Sequence, residues 1–140
     1  RRCFRYFGII GKGYCIMLNI LAVFLGGGIG ACARYMTSIL CVNLFKINLP
    51  ISTFIVNIVG CFLIGFLYIL FVEKIQTSNP LKLLLTVGFC GGLTTFSTFS
   101  AELFEMIQNQ QFLHASIYVM ISVIIGCVAV YFGGYCARFL

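Results

Sequence analysis

Long stretches without a charged residue are the feature that most limits what this chain can fold into. Charge-free runs cover residues 13–33, 47–72, 83–101 and 106–137, which are 21, 26, 19 and 32 residues long. A helix needs about 20 apolar residues to cross the hydrocarbon core of a bilayer. Charged residues make up only 9% of the 140-residue chain, whereas soluble domains carry about 25%. The pattern indicates an integral membrane protein and excludes a soluble enzyme, a nucleic-acid binder and a disordered tail.

Polar connections divide these runs into four predicted spans. Pro50 suits the first turn of a helix, residues 73–80 are polar and end in the turn signal Asn79-Pro80, and residues 108–111 are Gln-Asn-Gln-Gln. We therefore predict an all-α membrane protein with four transmembrane helices at about 16–42, 51–72, 82–107 and 113–137. Residues 1–15 form a basic N-terminal extension, and residues 16–140 form a single four-helix transmembrane domain.

The positive charges predict the orientation of the spans. With four spans, the N-terminal segment, the middle connection and the C-terminus lie on one side, and together they hold seven Lys and Arg residues, against Lys46 alone on the other side. Because positive loops stay in the cytoplasm, both termini are expected there. The basic N-terminal segment also resembles a secretory signal, but three further spans make a removable signal unnecessary.

Cysteine and glycine are interpreted as small membrane residues. None of the eight cysteines has the two-residue spacing of a redox or zinc motif, so they are expected to pack as small apolar side chains. Glycines recur in every span, for example in Gly26-Gly27-Gly28 and Gly133-Gly134. Small residues let helix backbones approach closely in lipid, which predicts tight helix packing.

The third span contains the densest polar cluster. Gly91-Gly92-Leu93 is followed by five hydroxyl residues among positions 94–100. Two glycines beside two threonines are poor for a continuous helix, so we predict a break near Gly91–Thr94. Unpaired backbone is tolerated at membrane depth only where protein buries it or where it lines a cavity. Such half-helix ends bind ions, which predicts an ion or substrate site.

Aromatic and charged residues extend this candidate site. Phe96 and Phe99 are three residues apart on one helix face, and their electropositive ring edges can face an anion. Polar residues inside membranes are costly and often functional, and the other spans contribute Arg34, Asn57, Tyr118 and Ser122 in addition to Glu102 of the third. Arg34 and Glu102 lie at similar predicted depths, so we expect them to pair; the alternative for Arg34 is to reach the membrane surface.

Three stretches resemble the Fluc/CrcB fluoride channels. They are GGIGACARY at 27–35, TFIVNIVGCFLIG at 53–65 and GFCGGLTTFSTFS at 88–100, and the last is highly specific. The resemblance covers about residues 16–138. It implies two antiparallel four-helix subunits in a dual-topology dimer, with two fluoride pathways along their interface.

The resemblance also implies residue roles. A central structural sodium ion would be held by the backbone carbonyls of Gly91 and Thr94 from each subunit. The fluoride pathway would be lined by Asn57, Phe96, Ser97, Thr98, Phe99, Tyr118 and Ser122, with Arg34 and Glu102 at the family's charged positions. Gly126 departs from the pattern, because family members can carry a further hydroxyl there.

The implied function is passive export of cytoplasmic fluoride through a multi-pass channel of the cell inner membrane, without catalysis. The strong charge bias leaves two partners open: a second copy of this chain, or a paralogous subunit of opposite topology. One alternative is a small multidrug-resistance-type proton-coupled exporter. Such exporters use a carboxylate in the first span, where this chain has Arg34. Another is a non-transporting assembly subunit, which would leave the hydroxyl cluster unexplained.

Overall fold

The computed structural model describes the backbone of residues 9–45, 50–74 and 78–139, and the side chains of 13–43, 50–73 and 78–139. Arg1, Arg2, Arg5 and Lys46 lie outside these residues. The charge bias to which they contribute therefore stays a prediction, as does the division into an N-terminal extension and a membrane domain.

The described chain is helical and forms four apolar spans. Gly13–Asn43, Pro50–Glu73, Asn79–Gln108 and Phe112–Arg138 are each long and apolar enough to cross a membrane, which confirms the prediction of four such helices. The segments are α1 (Ile9–Phe45), α2 (Pro50–Ile69) with a π-helical extension (Leu70–Lys74), α3 (Asn79–Leu83), a π-helical segment (Leu84–Cys90), α4 (Gly91–Leu93), α5 (Phe96–Gln108) and α6 (Phe112–Arg138).

Local chemistry explains where these helices begin and end. Pro50 is the first residue of α2, and Pro80 lies in the first turn of α3 after an extended Ser78. The missing N–H of proline costs nothing in a first turn, where helical amides have no partner. Between α5 and α6 the chain reverses at Gln110, whose φ is 59°, and the Gln111 N–H donates to the Met106 carbonyl at 2.9 Å.

Glycines allow two pairs of spans to pack closely. A Cβ at Gly30 would collide with the Phe89 carbonyl oxygen, and one at Gly92 would collide with the Gly27 carbonyl oxygen, so α1 packs directly on the third span. Gly133 faces the backbone of α2 in the same way, since a Cβ there would meet the Phe62 carbonyl. The prediction that glycines serve helix packing is confirmed at these positions.

The surface is mostly apolar. Among the described residues no large side chain is fully buried, and many aromatic and aliphatic side chains are exposed on all four spans. A surface of this kind suits lipid or a partner subunit rather than water. Cys32, Cys41, Cys61, Cys90, Cys127 and Cys136 form no disulfide.

One end of the bundle gathers charged residues. Arg138 at the end of α6 approaches Glu73 at 4.0 Å, and Lys82 Nζ donates to the Phe71 carbonyl at 3.1 Å. These contacts bring together the ends of the second and fourth spans and the start of the third. This is the end that the sequence predicts to face the cytoplasm.

Candidate functional site

The third span contains two extended residues in its middle. α4 ends at Leu93, Thr94 has ψ 157° and Thr95 has φ −150° and ψ 118° before α5 begins at Phe96. Thr95 caps α5, because its Oγ1 accepts from the Thr98 N–H at 3.3 Å. Thr94 Oγ1 donates back to the Cys90 carbonyl at 2.9 Å. The two threonine hydroxyls thus bind the helix ends on either side of the extended pair.

Asn57 of α2 holds this extended pair in place. Its Oδ1 accepts from the Thr95 N–H at 2.8 Å, and its Nδ2 donates to the Thr95 carbonyl at 3.2 Å. The amide side chain therefore satisfies both backbone groups of one residue. Without it, the Thr95 N–H would lose its partner at membrane depth, which costs several kcal/mol.

These contacts leave backbone carbonyls without their usual helical partners. In a continuous helix the Gly91 and Thr94 carbonyls would accept from the N–H groups of Thr95 and Thr98. The Thr95 N–H instead donates to Asn57, and the Thr98 N–H donates to the Thr95 hydroxyl. Carbonyl oxygens freed in this way are suitable ligands for a hard cation. Gly91 is exposed, and a Cβ there would meet nothing within 4 Å, so this carbonyl belongs to an open face of the subunit.

A cavity of about 490 Å³ lies beside the extended pair, between the second, third and fourth spans. It brings together six of the residues predicted from sequence, and its lining includes Asn57, Gly91, Thr94, Phe96, Phe99 and Ser122. Ser122 Oγ is buried and has no hydrogen-bond partner among the described residues. A buried hydroxyl without a partner is rare in native proteins and requires an explanation.

Two phenylalanines line this cavity. The ring centroids of Phe96 and Phe99 are 6.0 Å apart, and Phe99 contacts Tyr118 of α6 with centroids 5.0 Å apart. Phe96 is 80% exposed, so its ring is available to a lipid, a partner subunit or an ion. Ser97 and Thr98 are not among the lining residues; their hydroxyls cluster around Thr95 Oγ1, at 3.3 and 3.0 Å.

Glu102 is buried and bound by two hydroxyls. Thr53 donates to Oε1 at 2.5 Å, and Tyr118 lies 2.9 Å from Oε2. The Tyr118 hydroxyl also lies 3.2 Å from the Pro50 carbonyl. These contacts join the start of α2, the middle of α5 and the start of α6 around one carboxyl group.

The predicted pairing of Arg34 with Glu102 is wrong. Thr53 and Tyr118 occupy the Glu102 oxygens, and within the described residues the one ion pair joins Arg138 and Glu73. Hydroxyl donors can satisfy a buried carboxyl group without the desolvation cost of a second buried charge. Arg34 is half-buried on α1.

The family model described as CrcB-like protein, Camphor Resistance (CrcB), matches residues 21–134. This match covers most of the chain. The chain belongs to the CrcB family. The resemblance identified from the sequence is therefore confirmed, and the matched stretch contains the whole cavity lining and every site residue from Arg34 to Ser122.

Curated relatives agree with the CrcB assignment over nearly their full length. A protein of Phocaeicola vulgatus is 41% identical over 84% of this chain and 96% of its own. One from Hydrogenobaculum is 44% identical over 83% of this chain and 94% of its own, and one from Bacteroides fragilis is 44% identical over 85% and 95%. Each of the three is named fluoride-specific ion channel FluC.

Sequence reasoning missed three residues of this CrcB site. Thr95 was assigned to the hydroxyl cluster and not recognised as the residue that Asn57 holds, a contact between different helices. Thr53 was not identified as a partner of Glu102, although its four-residue spacing from Asn57 places both on one face of α2. Cys61 lines the cavity, and its four-residue spacing from Asn57 was the signal that could have found it.

Proposed function

We propose that this chain is one subunit of a fluoride-selective channel that lets fluoride leave the cytoplasm passively. The cavity beside Thr94 and Thr95 is the observation that carries this proposal, because it places hydroxyl, amide and aromatic groups at membrane depth. The relatives named fluoride-specific ion channels support the choice of ion, since the alignments cover at least 94% of each of the three.

The lining suits a small anion. Fluoride is strongly hydrated, so a pathway has to replace its water with donors and with the positive edges of aromatic rings. Ser122 has a buried hydroxyl without a partner, and Phe96 and Phe99 present two rings within 6.0 Å of each other. Asn57, Ser97, Thr98 and Tyr118 are the further residues that we assign to the pathway, together with Glu102 and with Arg34 near its entrance. Chloride is larger, and the phenylalanine rings would restrict it.

A sodium ion is the cofactor that we propose for this site. The carbonyls of Gly91 and Thr94 fit a sodium ion. The N–H groups that would pair with them in a continuous helix donate to the Asn57 and Thr95 side chains instead. When bound, sodium would supply a fixed positive charge that offsets the cost of bringing an anion into low dielectric. Two carbonyls are too few ligands for a buried cation, so a second subunit would have to supply the rest.

We propose that the functional unit is an antiparallel dimer in the cell inner membrane, with residues 16–140 as its channel domain. The partner is a second copy of this chain or a paralogous subunit of opposite topology. The open face at Gly91 supports such a partner, since a Cβ there would meet nothing within 4 Å. The exposed ring of Phe96 lies close by in the same span.

The alternative functions explain less. A proton-coupled multidrug exporter is not favoured, because residues 13–43 of the first span contain Arg34 and no carboxylate. An assembly subunit without transport would give no reason for a buried, unpartnered Ser122 hydroxyl next to an open cavity. The chain belongs to a family of ion channels, not of enzymes.

The test is fluoride efflux from liposomes that contain the purified protein, followed with a fluoride electrode. We expect rapid efflux down the fluoride gradient and little chloride efflux from matched liposomes. Protein-free liposomes provide the leak control. Absence of fluoride efflux, or chloride efflux at the same rate, would exclude a fluoride-selective channel. Efflux that requires an imposed proton gradient would instead favour a coupled exporter.

A further inference from the structure

Cys61 lies on the face of α2 that borders the cavity. Asn57, Gly60, Cys61 and Ile64 all line it, and this spacing of three, four and seven residues marks one helix face. Cys61 is therefore one helical turn beyond Asn57, toward the end of the bundle where Glu73 and Arg138 meet. The thiol is half-buried and forms no disulfide.

α6 lacks a side chain at the same level. Gly126 comes one helical turn after Ser122 and is buried. A Cβ at Gly126 would lie 3.5 Å from Cys61 Sγ, so the sulfur faces the space that a residue on α6 would otherwise occupy. The glycine thus leaves this side of the Cys61 thiol without a side chain from position 126.

The polar groups of α2 and α6 form a sequence along the cavity. Ser122 contributes a hydroxyl whose oxygen is buried without a partner, and the next polar group among the cavity-lining residues of these two helices, in the same direction, is the Cys61 thiol. A thiol is a weak hydrogen-bond donor. It can donate to an anion that has moved past the Ser122 hydroxyl.

We propose that Cys61 is a pathway-lining residue whose S–H donates to fluoride one turn beyond Ser122. This inference rests on the proposed fluoride channel and identifies a residue of the same pathway. The hydrogen-bond donor to fluoride one turn beyond Ser122 is then a side chain of α2, since α6 has Gly126 at that position. It also makes the channel sensitive to small thiol reagents.

The first test is modification with methyl methanethiosulfonate. The Cys61 thiolate attacks the sulfenyl sulfur of the reagent, a mixed disulfide forms, methanesulfinate leaves, and the thiol proton goes to the buffer. An added methylthio group would fill space beside Ser122, so we expect fluoride efflux from wild-type liposomes to fall at least about tenfold. Cys61→Ala is expected to be insensitive to the reagent.

Cys127→Ala is the matched control. Cys127 follows Gly126 directly and is exposed on α6, but it is not among the cavity-lining residues. We expect this variant to remain fully sensitive. Cys90→Ala tests the other thiol that lines the cavity. Reagent sensitivity that persists in Cys61→Ala, or that disappears in Cys127→Ala or Cys90→Ala, would overturn the proposal.

The second test separates a donor from a packing residue. Cys61→Ser keeps a donor of similar size, so we expect efflux within about twofold of wild type, whereas Cys61→Ala loses the donor and is expected to be about threefold to tenfold slower. Equal rates for the two variants would mean that the sulfur only packs. If wild-type protein carries no fluoride, the proposed function fails. If wild type carries fluoride and both variants match it, only the role of Cys61 fails.

Discussion

Asn57 holds Thr95 by both of its backbone groups, with the Thr95 N–H 2.8 Å from Oδ1 and the Thr95 carbonyl 3.2 Å from Nδ2. This pair of contacts connects α2 to the centre of the third span. It also diverts the amide that would otherwise bind the Gly91 carbonyl. The extended conformation at Thr94 and Thr95 therefore depends on a side chain that lies 38 residues earlier in the chain.

The first prediction concerns Asn57→Ala. We expect the free energy of unfolding to fall by about 1–3 kcal/mol for each backbone group left unpaired, and fluoride efflux to be lost because the carbonyls near Gly91 rearrange. Unfolding of the detergent-solubilised protein and liposome efflux are the two measurements. Asn43→Ala is the control, since Asn43 is exposed at the end of its span. Wild-type stability and efflux in Asn57→Ala would contradict the proposed role.

The second prediction concerns the carboxyl group of Glu102. Thr53→Val and Tyr118→Phe each remove one hydroxyl from a buried oxygen, so each is expected to lower the free energy of unfolding by about 1–3 kcal/mol. Both hydroxyls bind the same group, so the effect of the double variant should differ from the sum of the single effects. Additive effects would mean that the two contacts are independent.

Glu105→Gln is the control for the Thr53→Val and Tyr118→Phe variants. Glu105 lies on the same helix, three residues after Glu102, but its side chain is exposed. We expect its replacement to change the free energy of unfolding by less than about 0.5 kcal/mol. A larger change would show that charge on α5 itself, instead of the buried contacts of Glu102, controls stability.

The spans were predictable from the sequence because charges and prolines mark membrane boundaries directly. Pro50 and Asn79-Pro80 begin the second and third spans within three residues of the predicted starts at 51 and 82. The first span, Gly13–Asn43, also begins within three residues of the predicted start at 16.

The site was only partly predictable, because its key contacts join distant parts of the chain. The hydroxyl cluster predicted a site on the third span, and the cavity beside that cluster is lined by Asn57, Phe96, Phe99 and Ser122. The partner predicted for Glu102 was wrong because opposite charge and similar predicted depth suggested Arg34. Which group reaches a buried carboxyl depends on helix packing, which the spacing of residues along the chain does not specify. The π-helical segment at Leu84–Cys90 has no recognised sequence signal.

The third prediction concerns the phenylalanines. Phe96→Ile and Phe99→Ile remove aromatic edges but keep apolar side chains, so both are expected to slow fluoride efflux without separating the proposed dimer. Phe99 also contacts Tyr118, so Phe99→Ile is expected to lower stability more than Phe96→Ile. Phe104→Ile is the control, because Phe104 is exposed on the same helix and does not line the cavity. Wild-type rates in both variants would mean that the rings only pack.

The last prediction concerns Gly91→Ala and separates a subunit's own fold from its assembly. A Cβ at Gly91 meets nothing within the subunit, so the helices of one chain should tolerate it, whereas a Cβ at Gly30 meets the backbone of the third span. We therefore expect Gly30→Ala to destabilise the subunit by about 1–3 kcal/mol. Gly91→Ala should keep helical content while weakening the proposed sodium-dependent dimerisation, measured by size in detergent with sodium and with N-methylglucamine. Gly28→Ala, where a Cβ also meets nothing within 4 Å, should leave both properties unchanged.

A Gly91→Ala protein that dimerises like wild type, with the same response to sodium, would contradict both the proposed cation site and its place at the interface.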